Sequence, residues 1–404
     1  MTRPPIPRSA DDVTARWMQQ ALGAGRASER APIKEIILEE IDARAGVMGT
    51  VLRCHLTCEE PDAGIPATVI VKLPGTNAGN LRMSRRLQMF RREYDYYTLA
   101  APLSPVRSPA LLYGDLDSGS NRFVLVLEDL KEMQTLSQLE GASAAQARIA
   151  LRTLARLHGT FWNRGDQPPL NRIYDVLAAR RRAALQLAYL ANLAPTFERF
   201  GSLFSPAMRG LAEAYGPRIA AHIGAIAAGP RTLIHGDARL DNILFPAAPG
   251  EAEAAAAREG QEEVALIDWQ VSGLSTPLYD AAYFLGSSVT TEVRRRVEHA
   301  ALAEYTEIIR NMGVEGFTFD HCWRLYRECT LGRLLAAVLV CGGLDLGDDR
   351  GREMAEVGLQ RTLAAIEDLD ADEFLPAPAP RFSRAGAYAA LSRGAYGLLK
   401  RLRQ

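Results

Sequence analysis

Three shortages narrow the field before any motif is read. The chain has 404 residues but only five cysteines, Cys54, Cys58, Cys322, Cys329 and Cys341, with no C-x-x-C pair. That number and spacing exclude a zinc ribbon and a secreted disulfide scaffold and point to the reducing cytoplasm. Net charge is nearly absent: 47 Lys and Arg against 48 Asp and Glu leave −1. No bulk electrostatic case exists for nucleic acid or a membrane surface, so a charged partner has to be met by local clusters. Long hydrophobic runs are missing too. The longest, Leu334 to Leu344, is too short to span a bilayer, and the opening MTRPPIPRSADD lacks the apolar core of a signal peptide. What is present, 48% hydrophobic and 24% charged residues, is the composition of an ordinary globular chain long enough for two or three lobes.

The pattern changes along the chain. Ser9, followed by Asp11 and Asp12, is expected to cap a helix through Trp17 and Leu22, an N-terminal appendage covering residues 1–30. From Ile33 to Leu73, KEIILEEID, TVLRCHLTC and ATVIVKL read as three antiparallel strands. Residues 80–101 are helical and basic, with Arg82, Arg85, Arg86, Arg91 and Arg92 ahead of Glu93, and FVLVLEDL (Phe123 to Leu130) reads as a strand buried on both faces.

Beyond that point helices dominate. Ser143 opens SAAQARIALRTLARLHGTFW, whose Leu154, Leu157 and Phe161 form one stripe. Further helices are predicted near 176–190, 206–227, 291–311, 320–341 and 352–369, with strands only at NILF (242–245) and VALIDW (264–269). The Ala/Glu-rich stretch 247–263 reads as an insertion at a hairpin tip. The expected fold class is therefore α+β: a sheet lobe over 31–130 and a helical lobe over 131–404.

The sharpest local signal is LIHGDARLDNILF, with Asp268 in LIDWQ 26 positions after Asn242. Magnesium takes oxygen ligands, so the Asn242 amide carbonyl and the Asp268 carboxylate, completed by phosphate oxygens, suit it. Asp237, five positions before Asn242, is then free to accept a proton from an attacking hydroxyl. Taken alone, His235-Gly236-Asp237 is equally a turn and Asp268 a strand-end cap.

HGD-x-x-x-x-N-x-x-F followed by I-D-W resembles the catalytic and metal-binding segments of the aminoglycoside phosphotransferase and choline kinase superfamily, of protein-kinase-like bilobal fold. The flavour nearest to it is that of the ecdysteroid-kinase-like phosphotransferases, which carry similar HGD-x-R-x-DN strings and an LARLH-x-x-FW helix. The resemblance implies ATP and Mg2+ as cofactors, and it implies Lys72 at a strand end meeting the phosphates with Glu93 on the next helix holding it. A snorkelling lysine and a helix-surface glutamate are the alternatives. It further implies a phosphate-facing turn at Gly46, Gly49 and Thr50, for which a plain β-turn is an equal reading. By position, the resemblance also implies an adenine contact from the Glu128 carbonyl and Leu130 amide; the alternative is that the Glu128 and Asp129 side chains only cap the next segment. Asp280 in PLYDAAYFL corresponds to an aspartate bracing the catalytic loop. His158 is expected to be a hydrogen-bonded helix histidine, since no acid accompanies it in the sequence.

The expected function is a cytoplasmic kinase for a hydroxyl of a neutral or apolar small molecule. The alternatives are an aminoglycoside or macrolide phosphotransferase and a non-catalytic pseudokinase-like scaffold. Residues 381–404 carry six cations and no acid, which disfavours an acidic antibiotic-binding tail. That tail reads as a helix packed on the large lobe in preference to one docked on a membrane. The acidic run from Glu367 to Glu373 reads as a solvated helix end.

Overall fold

A computed structural model describes residues 3–23, 32–41, 49–59, 64–246, 264–344, 346 and 349–378. The insertion 247–263, the basic tail 381–404 and Gly46 lie outside them. In chain order the elements are α1 (Ala15–Gly23), β1 (Ile33–Glu40), β2 (Gly49–Cys58), β3 (Thr68–Pro74), α2 (Ala78–Leu87), α3 (Met89–Asp95), β4 (Leu111–Asp117), β5 (Arg122–Glu128) and β6 (Met133–Thr135). There follow α4 (Ala144–Thr160), α5 (Ala179–Phe200), α6 (Pro206–Tyr215), α7 (Ile219–Ile226), β7 (Thr232–Ile234), β8 (Ile243–Pro246), β9 (Ala265–Leu266) and β10 (Gly273–Ser275). The last helices are α8 (Leu278–Ser287), α9 (Thr291–Asn311), α10 (Phe319–Gly343) and α11 (Asp349–Asp368). The α+β class and the strands-then-helices order expected from the sequence hold. The chain divides into two compact units, Met1–Met133 with Ala265–Ser272, and Gln134–Val264 with Gly273–Gln404.

The first unit is built on a five-stranded antiparallel sheet in the order β1-β2-β3-β5-β4. β5 is buried along Phe123–Leu127, as its unbroken apolar run requires. Ser9 does not cap α1; it precedes a 3-10 turn at Ala10–Asp12 without a side-chain hydrogen bond. The helix begins after Thr14, whose hydroxyl accepts from the Trp17 amide at 3.2 Å. Nor is α1 a separate appendage, because Trp17, Met18, Ala21 and Leu22 share one apolar cluster with Leu52, Val69, Val71 and Val126 of the sheet. The basic helix is two helices, divided at Gln88, which adopts φ 55°. Phe90 on α3 stacks on Phe123 of β5, centroids 4.2 Å apart, and ties that helix to the sheet.

The second unit is mainly helical. α4 opens with a capping box in which the Ser143 hydroxyl accepts from the Gln146 amide and the Gln146 side chain accepts from the Ser143 amide. The single helix expected over 206–227 is broken at Gly216–Arg218, where Pro217 removes a donor. Asp368, in the acidic run expected to be solvated, pairs instead with Arg294 and with Arg295, the latter at 2.8 Å. Among the described residues no helix is long and apolar enough to cross a membrane.

Candidate functional site

The first unit gathers Lys72, Glu93 and Asp268. Lys72 lies on β3 opposite Val51 and Leu125, and its Nζ donates to Glu93 Oε1 at 2.5 Å and to Asp268 Oδ1 at 3.2 Å. Glu93 is fully buried and Lys72 nearly so. Burial works against the lysine's charge, but Asp268 and Glu93 more than offset it, so its pKa is raised. Burial also pushes the Glu93 carboxyl above the usual carboxylate range, against the pull of Lys72. An ammonium has three protons, and two are used here, which leaves one for an anionic ligand.

Asp268 reaches Lys72 because its segment is fastened to the first unit. The Arg92 guanidinium donates to the carbonyls of Ser272, at 2.7 Å, and Val271. Leu266 N donates to Arg107 O at 2.9 Å, and the Trp269 ring stacks on Tyr96 with centroids 3.5 Å apart. Asp268 itself adopts φ 63°, a left-handed conformation that aspartate tolerates better than most residues. VALIDW is consequently a strand for only two residues, since that turn ends it. The fastening role of Arg92 escaped the sequence reading, where it counted only as part of a basic helix.

In the second unit the loop after β7 carries Asp237. Gly236 takes φ 85°, open to glycine without strain. The Asp280 carboxylate on α8 accepts from the amides of His235, at 2.6 Å, and Gly236, at 2.8 Å. Burial alone would raise the Asp237 pKa, but Arg239, the Tyr283 hydroxyl, His235 and Arg333 hold it below the ordinary carboxylate value. Its Oδ1 is buried with no hydrogen-bond partner among the described residues. Asn242 donates from Nδ2 to the Asp237 carbonyl at 2.9 Å, so the amide oxygen is the end left to accept a ligand. Asp268 keeps about a third of its side chain exposed (34%). An amide oxygen and a carboxylate are the hard donors magnesium prefers, and both residues fit that ion.

His158 does have an acid beside it, 122 positions away in sequence. Its fully buried ring lies between the Tyr305 hydroxyl, 2.7 Å from Nδ1, and Asp280 Oδ2, 3.2 Å from Nε2, while its carbonyl accepts from Thr232 on β7. Both ends of the loop's support thus run through α4. His158→Phe should loosen the loop that carries Asp237, raising amide hydrogen exchange at His235 and Gly236 roughly tenfold or more; exchange measured by NMR or mass spectrometry checks it. Unchanged exchange at both amides would show that Asp280 holds the loop unaided.

The remaining expected positions differ from the sequence picture. Gly49 and Thr50 belong to β2, paired with Pro74 and Leu73, not to a turn. A Cβ on Gly49 would sit 2.8 Å from the Leu73 carbonyl oxygen, so strand approach is sufficient reason for glycine there. Glu128 and Asp129 do not cap the following segment. Glu128 accepts from Ala110 N at 3.1 Å, and Asp129 pairs with Arg53 at 2.8 Å. Leu130 accepts from Met133 N through its carbonyl.

The family model of the ecdysteroid kinase-like family matches residues 45–312, and the chain belongs to that family, one of kinase-like small-molecule phosphotransferases. A search of curated proteins found no match. Among solved structures, Plasmodium vivax ethanolamine kinase is similar with 12% identity, a TM-score of 0.49 and 90% of each chain covered. Choline kinase from Cryptosporidium parvum aligns at 10% identity and a TM-score of 0.49, covering 84% of this chain and 92% of its own. A choline/ethanolamine kinase family protein from Mesorhizobium loti aligns at 17% identity and 0.39, covering 93% and 98%.

Proposed function

We propose that the chain is an ATP- and magnesium-dependent kinase that transfers the γ-phosphoryl group to an alcohol hydroxyl of a small, neutral or apolar molecule. The observation that carries this reading is the buried Lys72–Glu93 pair with the half-buried Asp268 beside it: a lysine held by a carboxylate with one proton to spare is a phosphate-binding device. Lys72 orients the phosphates and Glu93 fixes Lys72. Asp237, held ionised, accepts the hydrogen bond of the acceptor hydroxyl, aims its oxygen at the γ-phosphorus and takes the proton as the new P–O bond forms and the bond from the γ-phosphorus to the β,γ-bridging oxygen breaks, ADP leaving with that electron pair. A carboxylate with a depressed pKa is a weak base, so it serves first to orient and receives the proton late. Asn242 and Asp268 are the residues that would hold magnesium, which when bound would neutralise charge on the phosphate oxygens. Gly49, Thr50, the Glu128 carbonyl and the Leu130 amide remain the proposed nucleotide contacts of the first unit. A set with none of these residues lost argues for catalysis over a non-catalytic scaffold.

The test is acceptor-dependent ADP release, with and without magnesium, across hydroxyl-bearing metabolites, sterols and antibiotics. Magnesium-dependent release with a neutral alcohol is expected. Nucleotide binding with no turnover on any acceptor would turn the reading toward a scaffold, and turnover confined to antibiotics would make the chain a resistance enzyme.

A further inference from the structure

The second unit builds an aromatic cage beside Asp237 and fills it from within. Tyr279 and Tyr283 are one helical turn apart on α8, their rings meeting edge to face with centroids 6.4 Å apart at 66°. Arg333 enters from α10. Its Cζ lies 3.5 Å from the Tyr283 ring centroid and 5.5 Å from that of Tyr279, and Nη1 donates to the Tyr279 hydroxyl at 3.1 Å. Arg333 is 4% exposed, whereas both tyrosines are only partly buried. The Tyr283 hydroxyl and the Arg333 charge both act on the Asp237 carboxylate.

Two tyrosine faces with a carboxylate alongside are what an ammonium group needs for recognition, attraction to the π-faces and to an anion together. In this chain the cation is already present, and arginine cannot lose its charge by deprotonation. Arg239 places a second guanidinium 3.8 Å from Asp237 Oδ2. The neighbouring carboxylates are engaged: Asp241 lies 3.5 Å from Arg239, and Asp280 is taken by His158 and the loop amides. An incoming ammonium would compete with Arg333 for the same ring face and meet like charge at close range.

We propose that Arg333 occupies the ammonium site next to the base and makes the enzyme reject cationic alcohols, so that its acceptor is a neutral or anionic one. The proposal rests on Asp237 as the base of the proposed kinase reaction, and it is therefore tested by binding, which needs no turnover. Choline and its uncharged isostere neohexyl alcohol are titrated calorimetrically into the full-length wild type, Arg333→Gln, which keeps a donor for Tyr279, Arg333→Met, which keeps the packing, and Arg333→Lys.

Removing the charge should tighten choline binding on the order of tenfold, the scale of one cation–π contact, in whichever uncharged variant folds. Neohexyl alcohol should shift by less than about threefold, and Arg333→Lys should behave as wild type. An equal gain in Arg333→Lys, or no gain in a folded uncharged variant, overturns the proposal. Wild-type binding of choline tighter than of neohexyl alcohol overturns it without any variant. Loss of the kinase reading itself would appear separately, as an absence of magnesium-dependent ADP release that leaves the choline titrations unaffected.

Discussion

Asp237→Asn should reduce acceptor-dependent ADP release by roughly a hundred- to ten-thousand-fold while leaving ATP affinity within about threefold. Asparagine keeps the size and can still accept a hydrogen bond from the acceptor hydroxyl, but it cannot take the proton. The loop is held through its backbone, by Asp280 on the amides of His235 and Gly236, so the substitution leaves that support untouched. The nucleotide contacts proposed at Lys72 and Glu93 belong to the other unit and are unaffected. Steady-state kinetics with calorimetric ATP titration check both halves of the result. Full transfer activity in the variant would remove Asp237 from the mechanism. Because the folded pKa of Asp237 is depressed, the carboxylate stays ionised at every pH above the ordinary value of about 3.9. A loss of wild-type activity between neutral pH and pH values near 5 would therefore have to come from another group.

The second large effect is expected from Lys72→Met, in both stability and turnover. It strips the only described cation from hydrogen-bonding distance of Glu93 Oε1, a fully buried atom set, and breaking a buried pair in this way costs about 3–5 kcal/mol. The penalty carries a pH signature. Glu93 already sits above the ordinary carboxylate range because of burial and Asp268, with Lys72 pulling it back. Without the lysine the folded carboxyl binds its proton still more readily than the unfolded one. Stability of the variant therefore rises as pH falls and declines as pH climbs above the ordinary glutamate value of about 4.3.

For wild-type Lys72 the sign is opposite in effect. Its raised pKa contributes stability that is fully present below the unfolded value of about 10.4 and is lost only as pH rises through the folded one. Urea unfolding of both proteins at about pH 6 and about pH 8 should show the smaller difference at the lower pH. A difference independent of pH would mean that Glu93 is not carrying a buried charge. Turnover should drop roughly a hundredfold or more, the usual loss when one positioned donor to a charged group is removed.

How far each feature was legible depends on the range of the interaction that makes it. The α4 start could be read because Ser143 and Gln146 are three residues apart and satisfy each other. The first three strands could be read because alternation and β-branching act within a strand. The break at Gln88 and the division of 206–227 were missed, since apolar periodicity carries across a single interrupting residue. β4 was missed because LLYGDLD is mostly half-buried and mixes polar with apolar residues. At α1, Ser9 looked like the stronger cap, but the chain after it closes into a 3-10 turn at Ala10–Asp12, and the hydroxyl that meets a helix amide is that of Thr14.

The sequence by itself determined the α+β class, the order of strands and helices, and the loop HGDARLDN with its carboxylate, amide and glycine turn, all of which arise from residues within a few positions of one another. Only the tertiary structure decided that Lys72 meets Asp268 across 196 positions, that 265–272 returns to the first unit on Arg92 and Tyr96, and that His158 rests on Asp280. It alone seats Arg333 over the Tyr283 ring and against the Tyr279 hydroxyl. The physical reason is that caps, turns and periodicity are local preferences written in spacing, whereas a buried charge finds its partner wherever packing brings the chain back. Spacing along the sequence carries no record of that return.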